Sequence, residues 1–226
     1  MIKENVAVIE KQIADAAARA GRTDKIILVA VTKNHPLENV EEAAACGITD
    51  VGENRVQEAM EKIEHFHGCL KWHLIGHLQT NKAKHAVEHF DLIHSVDSEH
   101  LLKAVDKAAE NLGKVQNILL QVNVAGEESK FGMEVDAFPK IIEVAKGLSH
   151  VRVQGLMCIA PNYENVEDVR PVFRIARALY QHMQTKFPAG QIQYLSMGMT
   201  HDFEIAIEEG ANMVRVGTAI FGPRNY

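Results

Sequence analysis

The residue best suited to covalent chemistry is Lys33. It follows the apolar run Ile26-Ile27-Leu28-Val29-Ala30-Val31 after one threonine. A lysine leaving the end of a buried strand is partly desolvated, which lowers its pKa and makes the neutral amine available. Such an amine condenses with an aldehyde or ketone to a Schiff base. Position alone equally allows a solvated lysine with a surface partner. A second cluster, Ser196-Met197-Gly198-Met199-Thr200, combines glycine and hydroxyls just before an expected helix, and Gly217-Thr218 repeats the combination. Glycine permits close backbone approach, and helix N-termini present unpaired N–H groups to an anion. Thr200 as a helix cap and Gly217 as a plain turn are the simpler alternatives. Arg215 stands between Val214 and Val216 in a strand pattern. If the valines pack outward against helices, Arg215 points inward and needs a partner there. The opposite register would put it in an outer salt bridge.

The elements that position these residues alternate strand and helix. Strands are expected at 26–31, 48–51, 71–75, 91–94, 116–122, 151–156, 192–195 and 212–216. Helices are expected at 37–46, 55–66, 80–88, 98–112, 136–148, 166–186 and 201–209, with boundaries good to about two to four residues. Ile2, Val6, Ile9 and Ile13 mark an additional amphipathic helix over 2–20, stopped by Gly21. Strict alternation implies parallel strands and right-handed crossovers. Eight such units in one chain give a compact α/β fold, the (β/α)8 TIM barrel, with an open doubly wound sheet as the alternative. No linker or low-complexity stretch divides the sequence, so residues 1–226 read as one domain. In such a barrel the active site lies at the C-terminal ends of the strands, and the loops after strands seven and eight recur as a phosphate site. Lys33, the 196–200 loop and Gly217-Thr218 all fall at those ends.

The composition bounds the function. The 226 residues are 46% apolar and 24% charged, with a formal net charge of −6. That is an ordinary globular composition, and it gives no electrostatic drive toward nucleic acid or an anionic membrane. Cys46, Cys69 and Cys158 are odd in number and widely spaced, as expected of a reducing, cytoplasmic setting. No apolar run is long enough to span a membrane. Among the twelve histidines, His85 and His89 share helical spacing but lie in a charged face, and His73 and His77 flank Gly76 on a strand and its loop. No metal site is expected from them.

A phosphorylated aldehyde would satisfy the lysine and both anion loops together, and pyridoxal 5′-phosphate (PLP) is such a molecule. The segments Ala30-Val-Thr-Lys33-Asn-His-Pro36, Gly52-Glu-Asn54-Arg-Val-Gln57, Trp72-His-Leu-Ile-Gly76-His-Leu-Gln79-Thr-Asn-Lys82, Gln121-Val-Asn123, Leu195-Ser-Met-Gly198-Met-Thr200 and Val214-Arg215-Val-Gly217-Thr218-Ala-Ile-Phe-Gly222 closely resemble the pyridoxal phosphate homeostasis protein family. That family is similar to the barrel domain of alanine racemase, the fold type III group of PLP proteins. The resemblance implies that Lys33 forms the Schiff base and that Ser196, Gly198, Thr200, Gly217 and Thr218 cradle the phosphate. It implies that Arg215 faces the pyridine nitrogen and that Asn54 lines the pocket.

The resemblance also implies a role. The expected function is vitamin B6 homeostasis by a non-catalytic PLP-binding protein, with delivery of PLP to apo-enzymes as a further implied step. A cation beside the pyridine nitrogen disfavours its protonation and weakens the ring as an electron sink. Alanine racemase adds a tyrosine base with a C-terminal β-domain and the partner subunit. Here the sequence ends at Tyr226, so the expectation is a barrel without that domain, and Tyr226 is not assigned the missing role. Two alternatives stay open: a weak single-base amino-acid racemase, and a class I aldolase acting on a sugar phosphate through the same lysine. Loss of the racemase dimer contact favours a monomer or weak homodimer.

Overall fold

A computed structural model describes residues 1–128 and 130–223. Tyr226 lies outside the described residues. Among them, eight parallel strands close into a barrel in sequence order, β1 Ile27–Val31, β2 Asp50–Glu53, β3 Lys71–Leu74, β4 Leu92–Val96, β5 Gln116–Val122, β6 Val151–Cys158, β7 Tyr194–Ser196 and β8 Met213–Val216. Closure is made by β1 against β8, with Val29 beside Arg215 and Ala30 beside Val216. The helices between them are α2 Leu37–Ala45, α3 Val56–His65, α4 Ala83–His89, α5 Glu99–Asn111, α6 Phe138–Lys146, α7 Arg170–Lys186 and α8 Phe203–Glu208. The amphipathic helix α1 Ile2–Arg19 stands outside this cycle and packs on α2, α8 and the short α9 Thr218–Phe221. Its buried stripe is Ile2, Val6, Ile9, Ile13 and Ala16.

Strand alternation divides the interior into two cores. The larger lies between the barrel wall and the helices and includes Ala30, Val51, Leu74, Ile93, Leu195, Val214 and Val216. The smaller fills the barrel with Val29, Leu92, Leu119, Met157 and Met213. Val214 and Val216 therefore face the helices and Arg215 faces inward, the first of the two registers.

Several boundaries moved. The second strand begins at Asp50, because its pairing with β1 starts at Val29 beside Asp50; Ile48 is buried but precedes the ladder. The strand then runs on to Glu53, placing that carboxylate in the wall. The fourth strand reaches Val96 and the sixth Cys158. The helices expected at 80–88, 136–148 and 166–186 each open with a 3-10 turn. The short α9 was not expected.

Candidate functional site

Lys33 occupies the turn after β1 and is half-buried. Two bonds clamp the chain on either side of it. The Thr32 carbonyl accepts from Lys62 Nζ at 2.8 Å, and the Asn34 N–H donates to Glu58 Oε1 at 2.6 Å. Asn34 has φ +60°, the only positive φ at a non-glycine among the described residues. Asparagine tolerates this left-handed conformation better than most residues, and it turns the chain immediately after the lysine.

The clamp belongs to an ionic cluster between the barrel wall and α3. Glu53 is fully buried and its Oε1 accepts from Lys62 Nζ at 2.6 Å and from the Thr32 hydroxyl at 2.5 Å. Lys62 Nζ also pairs with Glu58 at 2.8 Å. Burial pushes the Glu53 carboxyl up, against the downward pull of Lys62. Its Oε2 has no hydrogen-bond partner. Lys62 shares the apolar face of α3 with Val56 and Ala59. A lysine on that face was the sequence signal for the cluster, and it went unread.

On the opposite side of the Lys33 turn, Gly217 packs against Val31. A Cβ at Gly217 would lie 3.2 Å from both the Val31 Cβ and the Val31 carbonyl oxygen. Thr218 is exposed and Thr200 is half-buried. Thr200 does not cap α8; the cap position is Asp202, whose Oδ1 accepts from the Met199 N–H at 2.6 Å. Gly198 has φ +96°, and a Cβ there would meet Ala206 Cβ at 2.6 Å and Phe203 Cα at 2.9 Å. Glycine is thus required for the loop to sit on α8, independently of any ligand. The Gly198 carbonyl accepts from the Arg215 N–H at 3.0 Å, which ties this loop to β8.

Arg215 is 3% exposed. Its Nη1 donates to Ser196 Oγ at 2.6 Å and its Nη2 to the Cys158 carbonyl at 3.1 Å. Burial lowers the guanidinium to about 10, which leaves it charged at neutral pH, and pushes the Cys158 thiol up to about 12. Ser196, expected at the phosphate, lies deeper than Thr200. It is fully buried within the barrel, because as the third residue of β7 it shares the inner side with Tyr194 while Leu195 faces the helices. Its hydroxyl also lies 3.0 Å from His94 Nδ1. It thus stands between Arg215 and His94.

Asn54 follows β2 and is half-buried. Its backbone is overlain by Gly76, where a Cβ would collide with the Asn54 carbonyl. Lys33, Thr200, Gly217 and Asn54 thus lie in the loops after β1, β7, β8 and β2, four neighbouring strands around the barrel, with Thr218 opening α9 after β8 and Arg215 inside. Among the described residues, no group of three or more His, Cys, Asp or Glu side chains could hold a metal ion. Nor is any helix among them long and apolar enough to cross a membrane.

Comparison with known proteins places this arrangement. The family model described as alanine racemase, N-terminal domain, matches residues 5–225. A pyridoxal phosphate homeostasis protein of Aquifex aeolicus is 44% identical over 225 residues, covering 99% of this chain and 98% of that one. The structure of PipY from Synechococcus elongatus, with PLP bound, superposes with a TM-score of 0.85 at 38% identity, covering 98% of this chain and 100% of that one. An alanine racemase of Clostridium difficile shares the fold, with a TM-score of 0.72 at 15% identity, and 99% of this chain covers 57% of its length. The chain belongs to the pyridoxal phosphate homeostasis protein family, built on the alanine racemase N-terminal barrel.

Proposed function

We propose that this barrel, residues 1–226 acting as one unit, holds PLP on Lys33 and serves vitamin B6 homeostasis, keeping the reactive aldehyde bound and passing it to apo-enzymes. The observation that carries the reading is adjacency. A half-buried lysine, a buried guanidinium and two hydroxyl-bearing turns meet at the C-terminal ends of β7, β8 and β1. The donor set fits the group: an amine for the aldehyde, hydroxyls and backbone N–H groups for the phosphate, and a fixed cation for the side of the ring nitrogen. When bound, PLP supplies an electrophilic carbon and an electron-withdrawing ring.

The chain's own residues do the rest. The Thr32 and Asn34 bonds to Lys62 and Glu58 hold the lysine turn, so they fix where its side chain starts. The loop carrying Ser196, Gly198 and Thr200, with Gly217 and Thr218, forms the phosphate side, and Asn54 lines the wall beyond Lys33. Arg215 remains a cation at neutral pH and so opposes protonation of a ring nitrogen placed against it. That weakens carbanion chemistry. The free cysteines, of which Cys69 is exposed and Cys46 half-buried, support a reducing cytoplasmic setting. A monomer or weak homodimer completes the proposal.

Titration of the purified protein with PLP tests it. A visible absorption band distinct from that of free PLP is expected, absent from Lys33→Ala, with no exchange of amino-acid α-protons in deuterated water. An unchanged band in Lys33→Ala would refute the lysine's role, and α-proton exchange would favour the single-base racemase.

A further inference from the structure

Beneath Arg215 the barrel interior carries an unbroken file of hydrogen bonds. Asp50 opens β2 at the other end of the barrel, where it helps to line a cavity of about 390 Å³ beside α1. Its Oδ1 lies 2.8 Å from His73 Nε2. His73 Nδ1 lies 2.8 Å from His94 Nε2. His94 Nδ1 then meets the Ser196 hydroxyl to which Arg215 donates. His73 is 2% exposed and His94 fully buried. The two rings stand edge to face at 71° on adjacent strands.

Proton accounting orders this file. The Asp50 carboxyl is raised by burial but lowered further by the hydrogen bonds from His73 and Thr49, so it is ionised and only accepts. His73 Nε2 must therefore carry a proton. Burial above all holds His94 well below its ordinary pKa, so His94 is neutral and has one N–H. If that proton sits on Nε2, it is donated to His73 Nδ1, and His94 Nδ1 accepts from Ser196. Ser196 in turn accepts from Arg215. Every proton then has an acceptor, and each bond points from the guanidinium toward the carboxylate. A second proton on His73 would reverse His94 and leave the Ser196 proton without an acceptor in the file.

We propose that Asp50, His73, His94 and Ser196 are positioning residues, a proton-ordered file that aims the Arg215 guanidinium at the cofactor end of the barrel. The ordering rests on the distances together with an ionised Asp50 and a neutral His94; the aim rests on the reading that PLP binds at that end. Asp50 acts from the opposite end of the barrel, through three intervening side chains.

Long-range 1H–15N spectra of histidine-labelled protein, prepared free of PLP, test the ordering. Both His73 and His94 are expected as the Nε2–H tautomer; a proton on His94 Nδ1 would overturn the file. Titration with PLP then tests the aim. Asp50→Ala is expected to bind about tenfold more weakly, the weight of one hydrogen bond to a charged group. Asp50→Asn is expected to restore binding and the wild-type tautomers, since its Oδ1 still accepts from His73 and the Thr49 hydroxyl can turn to its amide. If Asp50→Ala does not fold, Ser196→Ala carries the same expectation of weaker binding. Wild-type affinity in a folded Asp50→Ala or Ser196→Ala would overturn the positioning role. Failure of the wild-type protein to take PLP would overturn the cofactor reading and the aim with it, while the tautomers would still report the ordering.

Discussion

The two sides of the barrel wall near the site solve the same problem with different electrostatics. Outside the wall, the Lys33 turn is held by charges: Lys62 between Glu53 and Glu58. Inside, the Arg215 guanidinium is held by neutral acceptors, Ser196 and the Cys158 carbonyl, and the Ser196 hydroxyl leads through His94 and His73 to Asp50 at the far end of the file. The outer cluster clamps backbone, bonding the Thr32 carbonyl and the Asn34 N–H, so it fixes where a side chain starts. The inner file clamps a side-chain head, so it fixes where a charge ends. A buried ion pair is costly to break because one partner is left unpaired, whereas a neutral file is disturbed one hydrogen bond at a time.

The largest expected effect breaks the outer cluster. Lys62→Met leaves Glu53 buried without its cation and should destabilise the protein by about 3–5 kcal/mol in urea unfolding at pH 7. The pH dependence identifies the cause. In that variant the folded state holds the Glu53 proton to a higher pH than the unfolded chain does, so stability falls as pH rises above the ordinary glutamate value. The deficit relative to wild type should therefore be smaller at pH 5 than at pH 7. An equal deficit at both would place the damage elsewhere.

Next in size is the inner file. Ser196→Ala leaves a buried guanidinium donor without its acceptor, at a cost of about 1–3 kcal/mol by the same unfolding measurement. Equal losses in Ser196→Ala and Lys62→Met would erase the contrast between the two sides. A smaller effect sharpens the account of the turn. Asn34→Ala keeps the N–H bond to Glu58 but strains the left-handed residue, costing about 1 kcal/mol, while Asn34→Gly should be close to neutral. Smallest is an exposed ion pair: Lys11→Ala, which removes the surface bridge to Asp15, should leave the unfolding midpoint unchanged, since such pairs are hydrated and screened.

Much of this was legible because it is local. The continuous apolar run before Lys33 reads as a buried parallel strand, and alternation around Arg215 leaves two registers, of which outward valines give the observed one. The clusters were not legible because each joins residues from different elements. His73 and His94 lie on adjacent strands, and taken singly each was only one histidine among twelve. Period-2 alternation held a clue: Trp72 and Leu74 face the helices, as does Ile93, which sends His73 and His94 inward. Glu53 was missed because the second strand was set two residues early, leaving the carboxylate in a loop. Gly198 was read for its ligand, whereas its φ of +96° and its contact with α8 already require glycine. That contact is set by a helix packing back on the loop, which no local pattern reveals.

The most direct test of the central claim is chemical. PLP added to the purified protein, reduced with borohydride and followed by peptide mass mapping, should leave a phosphopyridoxyl group on the peptide containing Lys33, and Lys33→Ala should lose it. A modification spread over surface lysines, or none at all, would contradict the assignment of Lys33 as the residue that holds the cofactor.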